Sequence, residues 1–173
     1  MLKMMKTAHR TPRHQQHGAA AVEFALIAIL FFTLLLGILE FGRLFYVYNS
    51  VQEVTRRAAR EAVVRWVDDP TSIKTLALFG GTSLPAGGEI TVNNINIEYL
   101  DASNAVIPTN DLPRSPEGNV SACLSAADNC IAFVRVSITG ATYVPMIGLI
   151  PFLVVRIPAS TVTMPAESLG LGL

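Results

Sequence analysis

Glu23 is the acidic residue inside Ala19–Leu39, a run whose only other polar member is Thr33. At mid-bilayer a carboxylate costs about 2.5 to 3.5 kcal/mol, so an ionisable group in such a run is a functional candidate by default. The structural alternative is that Glu23, near one end of the run, lies shallow enough to reach water. Cys123 and Cys130 bracket six residues and could close a small disulfide loop; the other reading is two separately buried thiols. They form no pair of CxxC knuckles, so a structural zinc site is not expected. His9, His14 and His17 precede the apolar run on a basic segment with no folded scaffold for a metal. With no histidine after it, a Ser-His or Cys-His nucleophile system is excluded there. GxSxG, P-loop and HExxH patterns are absent, so neither catalysis nor a cofactor or metal is expected.

The element that must position Glu23 is a helix. At 1.5 Å per residue Ala19–Leu39 spans roughly 30 Å, the thickness of a hydrocarbon core. The 173 residues carry a formal net charge of zero, which gives no long-range attraction to nucleic acid. The mean hydropathy of +0.44 reflects this run above all. Lys3, Lys6, Arg10 and Arg13 stand before it without an acidic neighbour, which puts the N-terminus in the cytoplasm and everything from Glu40 outward on the other side. A cleaved signal peptide shares the basic start and apolar core. The length of the run, and the helical sequence that continues it without a small-residue cleavage site, favour a retained anchor.

No proline lies between Pro12 and Pro70, so one helix is expected from near Ala19 to near Trp66, about 70 Å long. Beyond the membrane, Val47, Val51, Val54, Ala58, Ala62 and Trp66 fall on one face at spacings of three and four and are expected to pack. Glu53 with Arg57 and Glu61 with Arg65 have the favourable i to i+4 order, worth about 0.2 to 0.5 kcal/mol each. Arg56, Arg57, Arg60 and Arg65, interleaved with these glutamates, read as a solvated face. Gly37 and Gly42 are five apart and form no GxxxG pair.

After the helix, Asp69 and Pro70 read as N-cap and first position of a short helix over Thr71–Phe79, closed by Gly80-Gly81. Alternation follows: Ile90 and Val92 share one parity, Ile95, Ile97 and Tyr99 the other, with a bulge or tight turn expected at Asn93-Asn94. Asp101–Ala122, with prolines at 108, 113 and 116, reads as a mobile surface loop. Asn119 heads an N-x-S sequon, a pattern short enough to arise often by chance. Ile131–Thr139 is the clearest strand, and a last strand is expected from Leu153 to Met164 with Pro158 at an edge or bulge. The apolar stretch Tyr143–Phe152 is too short to span a bilayer as a helix; it is expected to fold over the sheet as core, the alternative being an apolar patch facing membrane or partner. An oxidising compartment would allow the Cys123–Cys130 ring, whose closure is worth about 2.5 kcal/mol at most.

Gly18-Ala19-Ala20-Ala21-Val22-Glu23-Phe24 resembles the processing site of a type IV prepilin: a basic leader ending in Gly18, a small residue after the cut, then Glu23 and aromatic Phe24 as fifth and sixth mature residues. The resemblance implies removal of Met1–Gly18 by a prepilin peptidase. It also implies pairing of Glu23 with the new N-terminal ammonium of a neighbouring subunit, which would set the stagger between packed helices. Together with Gly37-Ile-Leu-Glu-Phe-Gly-Arg43 and Ala58-Ala-Arg-Glu-Ala62, the block is similar to the N-terminal module of TadE-like proteins of the tight-adherence (Flp) pilus system, over roughly Gly18–Trp66. Ser160–Glu167 also resembles the closing strand of that group.

The expected organisation is a leader 1–18, a long helix 19–67 (19–39 transmembrane, 40–67 amphipathic) and an extracytoplasmic domain 68–173. The fold class is α+β, a long helix leading to a small antiparallel β-rich, pilin-like domain. The resemblance implies a pseudopilin-like minor subunit or assembly factor in the inner membrane, with prepilin peptidase, other pilin or pseudopilin subunits and the assembly machinery as partners. The competing reading is an uncleaved signal-anchored envelope protein whose outer domain binds a ligand.

Overall fold

The computed structural model describes residues 17–147, 154–166 and 169–170. The chain divides into two units, Met1–Gly37 and Ile38–Leu173. Helix α1, His17–Val64, contributes to both.

In the first unit the described residues are helical and exposed almost throughout. The helix is apolar enough to cross a membrane, with a window hydropathy of 2.7 and no part of that window buried. A core helix of a soluble protein would hide such a surface; among the described residues this is the one helix long and apolar enough to cross a membrane, and it is read as a membrane anchor. The Thr33 hydroxyl donates to the Ile29 carbonyl at 2.7 Å, so this polar group is satisfied within the helix, as hydrocarbon requires.

The second unit is α+β. Helix α2, Pro70–Ala77, begins as the sequence indicates: the Asp69 carboxylate accepts from the Ser72 amide at 3.0 Å and Pro70 takes the first turn. It ends two residues short of the expected Phe79, which adopts φ 61° instead. Strands β1, Ser83–Leu84, and β2, Gly87–Thr91, form an antiparallel pair. Strands β3, Ile95–Leu100, β4, Phe133–Ile138, and β7, Ser160–Pro165, form an antiparallel sheet with β4 in the centre. Ile97 faces Val136 and Val136 faces Val162 across it. The parity change at Asn93-Asn94 is a 3₁₀ turn, Val92–Asn94, in which the Asn94 side chain accepts from the Thr91 amide; it passes the chain from one sheet to the next.

The expected last strand is two. Strand β6, Val155–Arg156, pairs with β5, Thr142–Tyr143, and β7 pairs with β4. Pro158 lies between them, where its missing amide costs no ladder bond. The expected loop at Asp101–Ala122 is also corrected. It contains a 3₁₀ turn at Thr109–Asp111 and runs into helix α3, Pro116–Leu124, whose N-cap Ser115 accepts from the Gly118 amide at 3.1 Å. Serine at the cap, proline in the first turn and Glu117 behind it are a helix start that three prolines in nine residues obscured. Asn119 is buried: its Oδ1 accepts from the Ile131 amide at 2.8 Å and its Nδ2 donates to the Ile131 carbonyl at 3.4 Å, so its side chain substitutes for a strand neighbour. A disulfide joins Cys123, at the end of α3, to Cys130 beside that backbone.

The core forms where one face of α1 meets these elements. Val47, Val51, Val54, Ala58, Ala59 and Ala62 are buried in one cluster with Ile73, Ile90, Val134, Val136 and Ile138. Small residues on α1 let the sheets approach, and Gly87 lies so close that a Cβ there would sit 2.8 Å from Leu84 Cδ2 and 3.1 Å from Val47 Cγ2.

The C-terminal end of α1 is closed from a distance. The Gly170 amide donates to the Val64 carbonyl at 3.1 Å, with φ at +69° and room for no side chain: an added Cβ would lie 2.8 Å from Pro116 Cγ and 3.2 Å from Trp66. Gly170→Ala is therefore expected to destabilise this unit by about 1–3 kcal/mol, from left-handed strain and overpacking together. Thermal melts of the full chain in detergent check this, and an unchanged midpoint would show that the closure is loose.

Candidate functional site

The residues singled out from the sequence fall at separate places. Gly18, Ala19, Glu23 and Phe24 occupy the first turns of α1 and are all exposed, with Ala19 and Glu23 one turn apart on one face. His9 and His14, and the leader up to residue 16, lie outside the described residues, while His17 opens α1. Val47, Val51, Val54, Ala58 and Ala62 are buried; Trp66 follows α1 instead of lying on it and is half-buried. Of the expected helix ion pairs, Glu61 and Arg65 meet at 3.0 Å. Arg57 does not pair with Glu53: its guanidinium stacks 4.4 Å from the Phe79 ring centroid. That aromatic face offers a contact that a solvated glutamate does not match.

The apolar stretch from Tyr143 is only partly core. Tyr143 is buried, whereas Val144 and Met146 are exposed, and residues 148–152 lie outside the described residues.

The densest polar site was missed. Glu40 follows directly on the apolar run and is 3 % exposed. Its carboxylate accepts from the Tyr143 hydroxyl, from the Met146 amide at 3.1 Å and from Arg43 Nη1 at 3.5 Å. Arg43 also pairs with Glu89 on β2 and donates to the carbonyls of Ala86 and Val144, each at 3.1 Å. Its guanidinium lies 4.8 Å from the Tyr143 ring centroid. One arginine thus fastens both hairpins to α1. The sequence carried a signal for it: Glu40 and Arg43 are three apart on a helix, and a charged pair at the end of an apolar run needs partners. Which residues they were could not be read from the chain, since Glu89 and Tyr143 lie far away in sequence.

Burial acts to raise the Glu40 pKa, but hydrogen bonds from Tyr143, Met146 and Ile147 and the charge of Arg43 outweigh it and hold the carboxyl below its ordinary 4.5. Burial, then the bond to Glu40, pushes the Tyr143 hydroxyl up. A carboxyl with a depressed folded-state pKa contributes stability that is fully present above its unfolded value and lost as pH falls through the folded one. The stability gap between wild type and Glu40→Gln is therefore expected to be constant at neutral pH and to narrow below pH 4.5. Urea midpoints of both proteins across that range measure it, and a gap independent of pH would show that Glu40 is not ionised in the fold.

This cluster is a clamp and carries no reactive geometry. Among the described residues no group of three or more His, Cys, Asp or Glu side chains could hold a metal.

No curated protein and no solved structure matches the chain. The family model described as TadE-like protein matches residues 18–60, starting at Gly18 and enclosing Glu23, Glu40, Arg43 and most of the packing face of α1. Over residues 18–60 this chain is thus similar to the TadE-like family.

Proposed function

We propose that the protein is a pseudopilin-like minor subunit or assembly factor of a Tad/Flp-type type IV pilus, with a structural role. In this reading a prepilin peptidase on the cytoplasmic side removes Met1–Gly18. Residues 19–39 hold the mature chain in the inner membrane, and the α+β unit stands on the extracytoplasmic side. Glu23 meets the N-terminal ammonium of an adjacent pilin or pseudopilin helix, because a carboxylate in lipid needs a counter-charge.

The observation that carries the reading is the coincidence of two boundaries: the family match begins at Gly18, the residue at which the prepilin-like leader ends. The unburied apolar surface of α1 supports it, since lateral packing with like helices covers such a face. Intact-mass measurement of the protein from its native membrane, with and without the peptidase, is the test. A mature chain starting at Ala19 only when the peptidase is present is expected. An intact leader in cells with active peptidase would reduce the protein to an ordinary signal-anchored envelope protein.

A further inference from the structure

Strand β3 lies at an edge of the three-stranded sheet, with β4 on one side only. The Thr139 amide donates to the Asn94 carbonyl at 3.1 Å, which fixes the alternation of this antiparallel ladder. Asn96 and Glu98 exchange bonds with β4, whereas the backbone groups of Ile95 and Ile97 point to the outer edge. The Ile95 amide is used locally, donating to the Val92 carbonyl, and a bridge from Leu100 to Val106 covers only the last residue of the edge. Among the described residues nothing bonds the amide and carbonyl of Ile97. Strands that must stay alone carry proline, lysine or a bulge at such an edge. The opposite edge strand, β7, is bracketed by Pro158 and Pro165, but β3 contains neither residue type and its register runs unbroken.

The open edge borders a groove. A cavity of about 350 Å³ is walled by Ile97 and Tyr99 on β3, by Ile107 and Leu112 on the chain that follows, and by Val67 and Pro70 between α1 and α2. Tyr99 is only 8 % exposed, and its hydroxyl is buried with no hydrogen-bond partner. A buried donor left over beside a cavity calls for an acceptor brought by the occupant. The charges around the groove have one sign. A second cavity of about 400 Å³ shares Val106 and Ile107 with the first and is lined by Asp101, Asp111 and Asp128. Glu98 lines the first cavity, with Arg135 at 3.5 Å. No lysine, arginine or histidine among the described residues lines either one, so the complementary partner is a cationic one.

We propose that the β3 edge is a docking site for an extended, basic segment of a partner protein, which adds to the sheet as a new strand beside Ile95 and Ile97. Its backbone bonds the free amide and carbonyl of Ile97, an apolar side chain enters the cavity, and an oxygen of the segment accepts from the Tyr99 hydroxyl. Lysine or arginine side chains farther along meet Asp101, Asp111 and Asp128. The site lies wholly within the unit Ile38–Leu173 and is independent of leader removal.

Fluorescence anisotropy of a fluorescein-labelled hexapeptide of alternating lysine and valine, titrated with the full chain in non-ionic detergent, is the test. Saturable binding is expected, with a glutamate–valine hexapeptide at least about tenfold weaker. Methylation of alternate peptide amides leaves the charges in place, so one methylated register is expected to lose binding while the other keeps it. On the protein side, Tyr99→Phe is expected to weaken binding about fivefold, the effect of one lost hydrogen bond. Its urea midpoint is expected not to fall, since the hydroxyl has no partner to lose. Hydrogen exchange at Ile97 is expected to slow when the lysine–valine peptide is bound. No binding of that peptide would overturn the proposal. So would equal binding of both methylated forms, which would show charge attraction without an added strand.

Discussion

Arg43→Met should destabilise the α+β unit by about 3–5 kcal/mol, the usual cost of breaking a buried pair by deleting one partner. Methionine retains an apolar stem but none of the donors, so Glu40 and Glu89 lose their shared cation, and the Ala86 and Val144 carbonyls lose theirs. Glu89 is the more vulnerable acid, because its Oε2 is already buried without a partner. Lysine is not a substitute: a point charge cannot serve two carboxylates and two carbonyls while stacking on Tyr143. Urea unfolding of the full chain in detergent, followed by Trp66 emission, gives the number. The double variant Glu40→Gln/Arg43→Met is expected to lose less than the sum of the single losses, as members of one network do. A loss under about 1 kcal/mol for Arg43→Met would mean that the clamp is incidental to the fold.

The second large effect is functional. Glu23→Ala removes a side chain that costs about 2.5 to 3.5 kcal/mol at mid-bilayer, so membrane insertion should be preserved or improved. If the carboxylate is held for a neighbour's ammonium, assembly should nevertheless fall at least about tenfold, the equivalent of a 1.4 kcal/mol contact. Glu23→Gln keeps the size and loses the charge, and should fail to the same degree. Membrane fractionation reports insertion, and crosslinking to pilin-like subunits together with filament counts reports assembly. Normal assembly by either variant would leave Glu23 as a residue that merely reaches water.

Much of this architecture was legible in the chain because it depends on local periodicity. The run Ala19–Leu39, the face Val47–Val51–Val54–Ala58–Ala62, the Asp69–Pro70 helix start and the alternation around Val134–Val136–Ile138 each repeat over spacings that a helix or strand imposes directly. What failed was local signal in competition. Prolines at 108, 113 and 116 outweighed the Ser115–Pro116–Glu117 start of α3, and the strand-forming run from 153 to 164, read as one strand, concealed a change of sheet at Pro158. Arg57 was assigned to Glu53 by spacing alone, whereas the Phe79 ring, just after α2, supplied the better partner.

The sequence by itself determined that a membrane-length helix leads into an antiparallel α+β unit, and that one acid stands within the apolar run, since hydrophobic period and the cost of a charge in lipid are properties of neighbouring residues. Only the tertiary structure decided that Glu40, Arg43, Glu89 and Tyr143 form one clamp, with the Met146 amide bound to the Glu40 carboxylate, and that Asn119 replaces a strand neighbour for Ile131. Those contacts join residues up to 106 positions apart, and closing such distances is settled by the summed burial of the whole unit, which no local pattern records.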